Sequence, residues 1–316
     1  MVLYLTYWFP NRQRGRIMSL FVMAVPLAGI IGGPLSGLIM SELHGAMGLA
    51  GWQWLFLVEG APAILLGLAA YFVLDDRPAD ARWLSDAEKA RIAAALADAP
   101  KQHGGGAHGP VRLAQVLTNP RIYLMSAIYF SVFLGLNAIG FWIPTLLRQV
   151  GVHSISHIGW LSGGISACTA VGIVLIGRHS DRRMERRWHV AASGLAVSAS
   201  FLLLPLAAHS VALTVAALVV ASVSIYSTLS LFWTIPTLYL QKDAMAAGVA
   251  TITAIGAIGG AVSPSLVGLL KTSTGSVYAG LAVVGVVLAL GMLALLRVVR
   301  PQPASAPRQV EAAAGR

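Results

Sequence analysis

The sequence predicts an all-α membrane protein with eight transmembrane helices, and three observations carry that expectation. The 316 residues are 57% hydrophobic and only 11% charged, with a mean hydropathy of +0.74. An ordinary soluble domain carries about 25% charged residues. Apolar runs of the length a bilayer requires, about 20 residues each, recur along the whole chain. The basic residues also divide sharply between the two sets of connections that join those runs. Polar and apolar residues do not alternate with period two, so helices are expected rather than a transmembrane barrel.

The runs fall at roughly 17–40, 52–74, 121–147, 157–177, 188–207, 211–240, 244–270 and 277–299. Alternate connections belong to alternate sides of the bilayer. One side then collects Arg12, Arg14 and Arg16, the basic residues of 75–121, the arginines from Arg178 to Arg187, Lys242 and the tail. Of the 22 lysines and arginines, only Arg148 and Lys271 fall on the other side. The positive-inside rule makes the rich side cytoplasmic and puts both termini there. A net charge of +10 would suggest nucleic acid in a soluble protein. Here the charges are split among short connections without stacking aromatics, so no nucleic-acid partner is expected.

Other classes are excluded in turn. Cys168 is the only cysteine and lies within a span, so neither a disulfide framework nor a thiolate metal site is expected. The histidines form no His-Glu-x-x-His pattern and are scattered over connections, so no metal, no cofactor and no enzymatic constellation are expected. A nucleotide-driven pump needs a G-x-x-x-x-G-K-[ST] loop, which is absent. No channel-filter repeat occurs either.

Val2 to Phe9 is apolar but too short to span, and it lacks the basic start of a signal peptide. It reads as the tail of a helix that begins outside the chain. An internal repeat agrees. Gly29, Gly32, Gly33, Pro34 and Gly37 in the first run are echoed by Gly256, Gly259, Gly260, Pro264 and Gly268 in the seventh. Copies six spans apart imply two halves of six helices. Four helices are therefore expected ahead of Arg12, and the 316-residue form alone is expected not to transport. A non-transporting fragment from a truncated gene or a mis-assigned start is the alternative. The domains expected are residues 1–74 as the end of the first half, 75–120 as a linker, 121–300 as the six-helix second half and 301–316 as a cytoplasmic tail.

Within the linker, Ser85 and Glu88 have the spacing of a capping box at the start of a short helix. That helix places Ile92 and Leu96 four apart and stops before Pro100, and Gly104 to Gly106 then give a flexible link. An interaction module is the other reading of this piece.

Three features carry function. Gly177, Asp181, Arg182, Arg186 and Arg187 form a short connection with an acid set among bases. Asp181 at a helix end can face another helix N-terminus, whose dipole favours negative charge. Such a cluster can latch one face closed; plain anchoring by arginine is the alternative and leaves Asp181 and Gly177 without a role. Glu59 lies seven residues past Trp52, about 10 Å along a helix, and an intramembrane carboxylate suggests either proton relay or a hydrogen-bonded structural role. The row Gly29, Gly33 and Gly37 is read as helix packing. For a cavity, Tyr129, Phe133 and Asn137 share one face of the third span, and Gly140 and Pro144 could let its far end bend. Tyr226, Ser230, Trp233 and Thr237 recur on the sixth span near Pro236, and Thr251 and Thr253 lie on the seventh. The alternative is that these hydroxyls bond their own backbone and the aromatics pack.

The Gly177 to Arg187 pattern resembles the G-x-x-x-D-R-x-x-x-R-R motif of the major facilitator superfamily, in its second-half copy. Tyr7-Trp8-Phe9-Pro10 with Arg12, Arg14 and Arg16 is similar to the loop after the fourth helix in the anion:cation symporter family. So are the stretches Trp52 to Gly60, Phe141 to Pro144 and Phe232 to Pro236. The resemblance implies a major facilitator fold of 6+6 helices. It also implies a monomeric, proton-coupled importer of an organic carboxylate in the bacterial inner membrane. Trp142, in one of these stretches, joins Tyr129, Asn137, Tyr226, Trp233 and Thr253 as substrate-binding candidates. Relatives in that family commonly carry Asn-Ser-Ile-Gly-Asn where this chain has Thr253-Ala254-Ile255-Gly256-Ala257. Loss of two amides disfavours a polyhydroxylated sugar acid and favours a more apolar carboxylate. The family's anion-binding arginine and proton-carrying carboxylates sit on the first and fourth helices, so no coupling residue transfers to this chain.

Overall fold

The computed structural model describes residues 8–9, 11–97, 119–183, 187–233, 235 and 245–299, with the backbone alone for 11–23, 26, 97, 181, 245 and 246. Among the described residues are nine α-helices and no strand. They are α1 Asn11–Glu42, α2 Gly51–Val73, α3 Asp86–Ala97, α4 Pro120–Gln149, α5 Ile155–Arg183, α6 Arg187–Leu203, α7 Val211–Phe232, α8 Met245–Thr274 and α9 Val277–Val298. Seven are long and apolar enough to cross a membrane: α2 and α4 to α9, α6 with its 3-10 extension to Ala207. In α1 the described side chains leave a shorter apolar helix, Leu27–Glu42. The protein is thus a multi-pass, all-α membrane protein, with a helix at each of the eight expected runs and a ninth between the second and third of them.

Helix ends follow local chemistry. Between α1 and α2, Gly45 and Gly48 take φ of +84° and +75°, a region open to glycine at no steric cost. The Trp54 indole N–H then donates to the Ala46 carbonyl at 3.0 Å and ties the turn to α2. The expected capping box is present: the Ser85 amide donates to the Glu88 carboxylate at 3.0 Å, and the Glu88 amide donates to Ser85 Oγ at 3.4 Å. Asn119 caps α4 by accepting from the Arg121 amide at 3.0 Å, with Pro120 at the first helical position. Gly275, at φ +74°, ends α8 by donating its amide to the Lys271 carbonyl at 2.9 Å.

Two expectations are corrected. In the sixth run, expected to reach residue 240, α7 stops at Phe232 with Trp233 as its C-cap, and 236–240 lie outside the described residues. Pro236 explains the stop, because proline disfavours helix in the residue before it and removes a donor. The Gly177 to Arg183 stretch is no loop: α5 runs through it to Arg183. Nothing after Gly177 breaks a helix, and long basic side chains suit a helical turn projecting into water.

The chain forms two compact units. The first spans Met1–Gly109 and His153–Ala167, and the second spans Pro110–Val152 and Cys168–Arg316. In the first, the glycine row of α1 packs at backbone distance on the start of α5. A Cβ added to Gly33 would lie 2.8 Å from the Gly159 carbonyl, and one on Gly37 would lie 3.1 Å from that of Ile155. In the second, α4 packs on α7, α8 and α9, and α9 on α6 and α8. The core there includes Ile122, Ile128, Leu134, Phe201, Leu218, Ile225 and Phe232, each 1% exposed or less.

Candidate functional site

The site in the second unit is built on the close pairing of α4 and α8. Tyr129, Phe133 and Asn137 follow one another at helical spacing along α4, as expected. Opposite them α8 carries Gly256, Gly259 and Gly260. A Cβ on Gly256 would run into the Tyr129 ring, and one on Gly259 into the Phe130 carbonyl. One on Gly260 would lie 2.7 Å from the Asn137 amide nitrogen. The pairing is fixed by Ser263, whose hydroxyl donates to the Leu134 carbonyl at 2.7 Å. Small residues on one helix let a row of large ones on the other approach without strain.

An aromatic cluster closes around Tyr129, which is only 4% exposed. Its ring centroid lies 4.8 Å from Phe133 and 4.9 Å from Phe232, the latter nearly parallel. Trp233 meets it edge-on at 4.9 Å. These are distances at which rings attract beyond their burial. Asn137 donates one N–H to the Phe133 carbonyl at 3.0 Å, and its amide oxygen has no donor among the described residues.

The structure therefore brings Tyr129, Asn137 and Trp233 to one region, with Phe232 added. Thr251 and Thr253 bond their own helix, at the carbonyls of Ala247 and Val249 (2.9 and 2.8 Å), and Thr253 is exposed. Tyr226 is half-buried and Ser230 exposed, earlier on α7. Thr237 lies outside the described residues. Trp142, further along α4, has the Lys271 ammonium 5.3 Å from its ring centroid. Phe232 and Lys271 were not expected at the site. The signals were present: Phe232 adjoins Trp233, and Lys271 is one of the two exceptions to the charge asymmetry.

In the charged motif, Gly177, Arg182 and Arg183 lie on the last turns of α5 and both arginines are exposed. Only the backbone of Asp181 is described, and Arg186 lies outside the described residues. Arg187 begins α6 and donates from its guanidinium to the carbonyl of Leu296 in the last turn of α9. Its guanidinium also sits 5.6 Å from the Trp188 ring centroid. A helix C-terminus leaves carbonyls unpaired, and a cation there is favoured, so Arg187 ties α6 to α9. In the first unit Glu59 is exposed and accepts a hydrogen bond from Ser36 Oγ at 2.6 Å, which links α1 with α2. Among the described residues no group of His, Cys, Asp or Glu could hold a metal ion.

Long apolar helices, close glycine-mediated pairing and charged turns at their ends define a polytopic α-helical membrane protein. The Major Facilitator Superfamily profile matches residues 1–264 and 152–315. The chain belongs to that superfamily and is of its anion:cation symporter type, the branch its motifs resemble. A putative tartrate transporter of Agrobacterium vitis is 38% identical, over 96% of this chain and 66% of its own length. The putative metabolite transport protein NicT of Pseudomonas putida is 36% identical, over 88% of this chain and 63% of its own. The inner membrane transport protein RhmT of Escherichia coli is 36% identical, over 92% and 67%. The chain spans about two thirds of the length of these relatives. A crystal structure of a bacterial homolog of the human lysosomal transporter Spinster, inward-facing and unoccupied, superposes with a TM-score of 0.61. It is 17% identical and covers 93% of this chain and 71% of that one, a likeness of fold.

Proposed function

We propose that these helices belong to a secondary active transporter that carries an organic carboxylate inward together with a proton, by alternating access. The observation that carries this reading is kinship, at 36–38% identity, with three proteins named as transporters. The charge asymmetry supports a bacterial inner membrane with both termini cytoplasmic. The same reading takes residues 1–74 as the end of a first helical half, 75–120 as the linker, 121–300 as a six-helix second half and 301–316 as the tail, in a monomer.

The Tyr129, Asn137 and Trp233 region is the proposed substrate contact. The second amide N–H of Asn137 can donate to a carboxylate, and the four aromatic rings beside it suit an apolar body better than a polyhydroxylated one. Tyr226, Trp142 and Thr253 are proposed as outlying contacts. Asp181 with its neighbouring arginines is the proposed latch of the cytoplasmic face. Glu59 is read as a structural hydrogen-bonding group, because Ser36 engages it.

Counterflow tests the substrate class. Vesicles carrying the transporter to which these helices belong, preloaded with unlabelled benzoate, tartrate or a neutral sugar, are offered the labelled form of the same compound. Exchange of a carboxylate, with none of the sugar, is expected. Exchange of the sugar alone would remove the anion reading.

A further inference from the structure

Only two basic residues lie on the arginine-poor side, and they differ in placement. Arg148 is exposed in the last turn of α4. Lys271, in the last turn of α8, is half-buried and turned over the face of Trp142, 5.3 Å from the ring centroid. At this end of the second unit the residues 149–152, 208–210 and 275–276, and the helix turns of that unit that flank them, contain no aspartate or glutamate. The other titratable groups in these stretches are His209 and Tyr278. The field at this end is therefore positive, and such a field concentrates anions at the surface.

The Trp142 indole N–H supplies the second observation. It is shielded from solvent and has no acceptor among the described residues. A buried donor without an acceptor is costly. Lys271 has three donors, and its recorded contact is with the ring face, which takes up charge but accepts few hydrogen bonds. Donors on α4 and α8 thus stand near one another without an acceptor among the described residues. A carboxylate has two acceptor oxygens, one for each.

We propose that Lys271 and Trp142 form an anion-binding subsite at the arginine-poor end of the second unit, which takes the carboxylate of an organic anion. The subsite deepens the transport reading and rests on it for its role, as the place where the anion is first held. It lies on the same α4–α8 pair as Asn137 and Tyr129, and Trp142 follows Asn137 by five residues along α4. The competing account is that Lys271 serves the helix C-terminus and cements α8 to α4 through the ring. That account predicts no response to an anion.

The test is ¹⁹F NMR of the protein labelled with 5-fluorotryptophan in nanodiscs, with the Trp142 resonance assigned through Trp142→Phe. Benzoate is the probe and benzamide its uncharged counterpart. A saturable shift of the Trp142 resonance with benzoate, and none with benzamide, is expected. Lys271→Gln should raise the half-saturating benzoate concentration by about tenfold or more, the loss of one charge-assisted hydrogen bond. Lys271→Arg should keep the response. The remaining tryptophan resonances report whether each variant is folded. A resonance unmoved by benzoate, or moved equally in Lys271→Gln, overturns the subsite. If benzoate moves the resonance yet counterflow finds no exchange, the transport reading falls and the subsite stands.

Discussion

The ring of Tyr129 fills the space where a side chain on Gly256 would stand. Glycine at this position is thus a requirement of the α4–α8 contact. Gly256→Ala is predicted to force the helices apart and to cost about 1–3 kcal/mol, the range for overpacking a filled core. Thermal unfolding in detergent measures it. Tyr129→Ala in the same chain should relieve part of the loss, since the two residues share one contact. Equal stability of Gly256→Ala and the parent would show that the helices do not approach this closely.

Asn137→Ala and Trp233→Ala are each predicted to weaken apparent affinity for a carboxylate in uptake assays. The loss for Asn137 should be about 5- to 10-fold, as for one hydrogen bond. Trp233 borders the Tyr129 ring, so its loss should also change preference between benzoate and tartrate. Unchanged affinity and preference in both variants would move the substrate contact elsewhere.

Asp181→Asn should slow uptake while leaving membrane insertion and melting temperature intact. A latch needs the charge, and the helix that carries it continues to Arg183 regardless. Arg187→Ala should behave differently and lower the melting temperature, because it abandons a carbonyl of the α9 terminus. Full uptake by Asp181→Asn would leave the motif an anchoring role only.

Helix α3 carries a pH dependence of known sign. The Ser85 hydroxyl, and then its backbone amide, donate to the Glu88 carboxylate and hold its pKa below the usual value of 4.5. A depressed folded-state pKa means the capping contribution is present above the unfolded value. It is lost as pH falls through the folded one. An NMR titration should find Glu88 more acidic in the parent than in Ser85→Ala, and amide protection at the start of α3 should fall with acid. Identical titrations would dissolve the capping box.

Much of the fold was legible because span length and charge asymmetry are properties of the chain itself. The Ser85–Glu88 cap was readable for the same reason: it is a contact between residues three apart. The continuation of α5 through Asp181 was not, since a cluster of charges reads equally as a loop or as a helix emerging into water. At the site, the Tyr129–Phe133–Asn137 face followed from helical spacing. Their burial against Gly256 and Gly260 did not, because helix pairing depends on residues more than a hundred positions away. The thiol and hydroxyl inventory gave little: Thr251 and Thr253 bond their own backbone, which spacing cannot distinguish from a ligand contact. Lys271 was visible as a charge on the unexpected side, but its turn onto Trp142 is a tertiary fact.

The central claim is proton-driven movement of an organic anion, and uptake under an imposed pH gradient tests it most directly. Membrane vesicles carrying the transporter to which these helices belong are offered labelled benzoate with the outside acidic, then with the gradient collapsed by a protonophore. Vesicles without the protein correct for passive entry of the neutral acid. The account predicts protein-dependent accumulation with the acidic exterior and its loss on collapse. Accumulation that persists without the gradient, or no difference from vesicles lacking the protein, would contradict it.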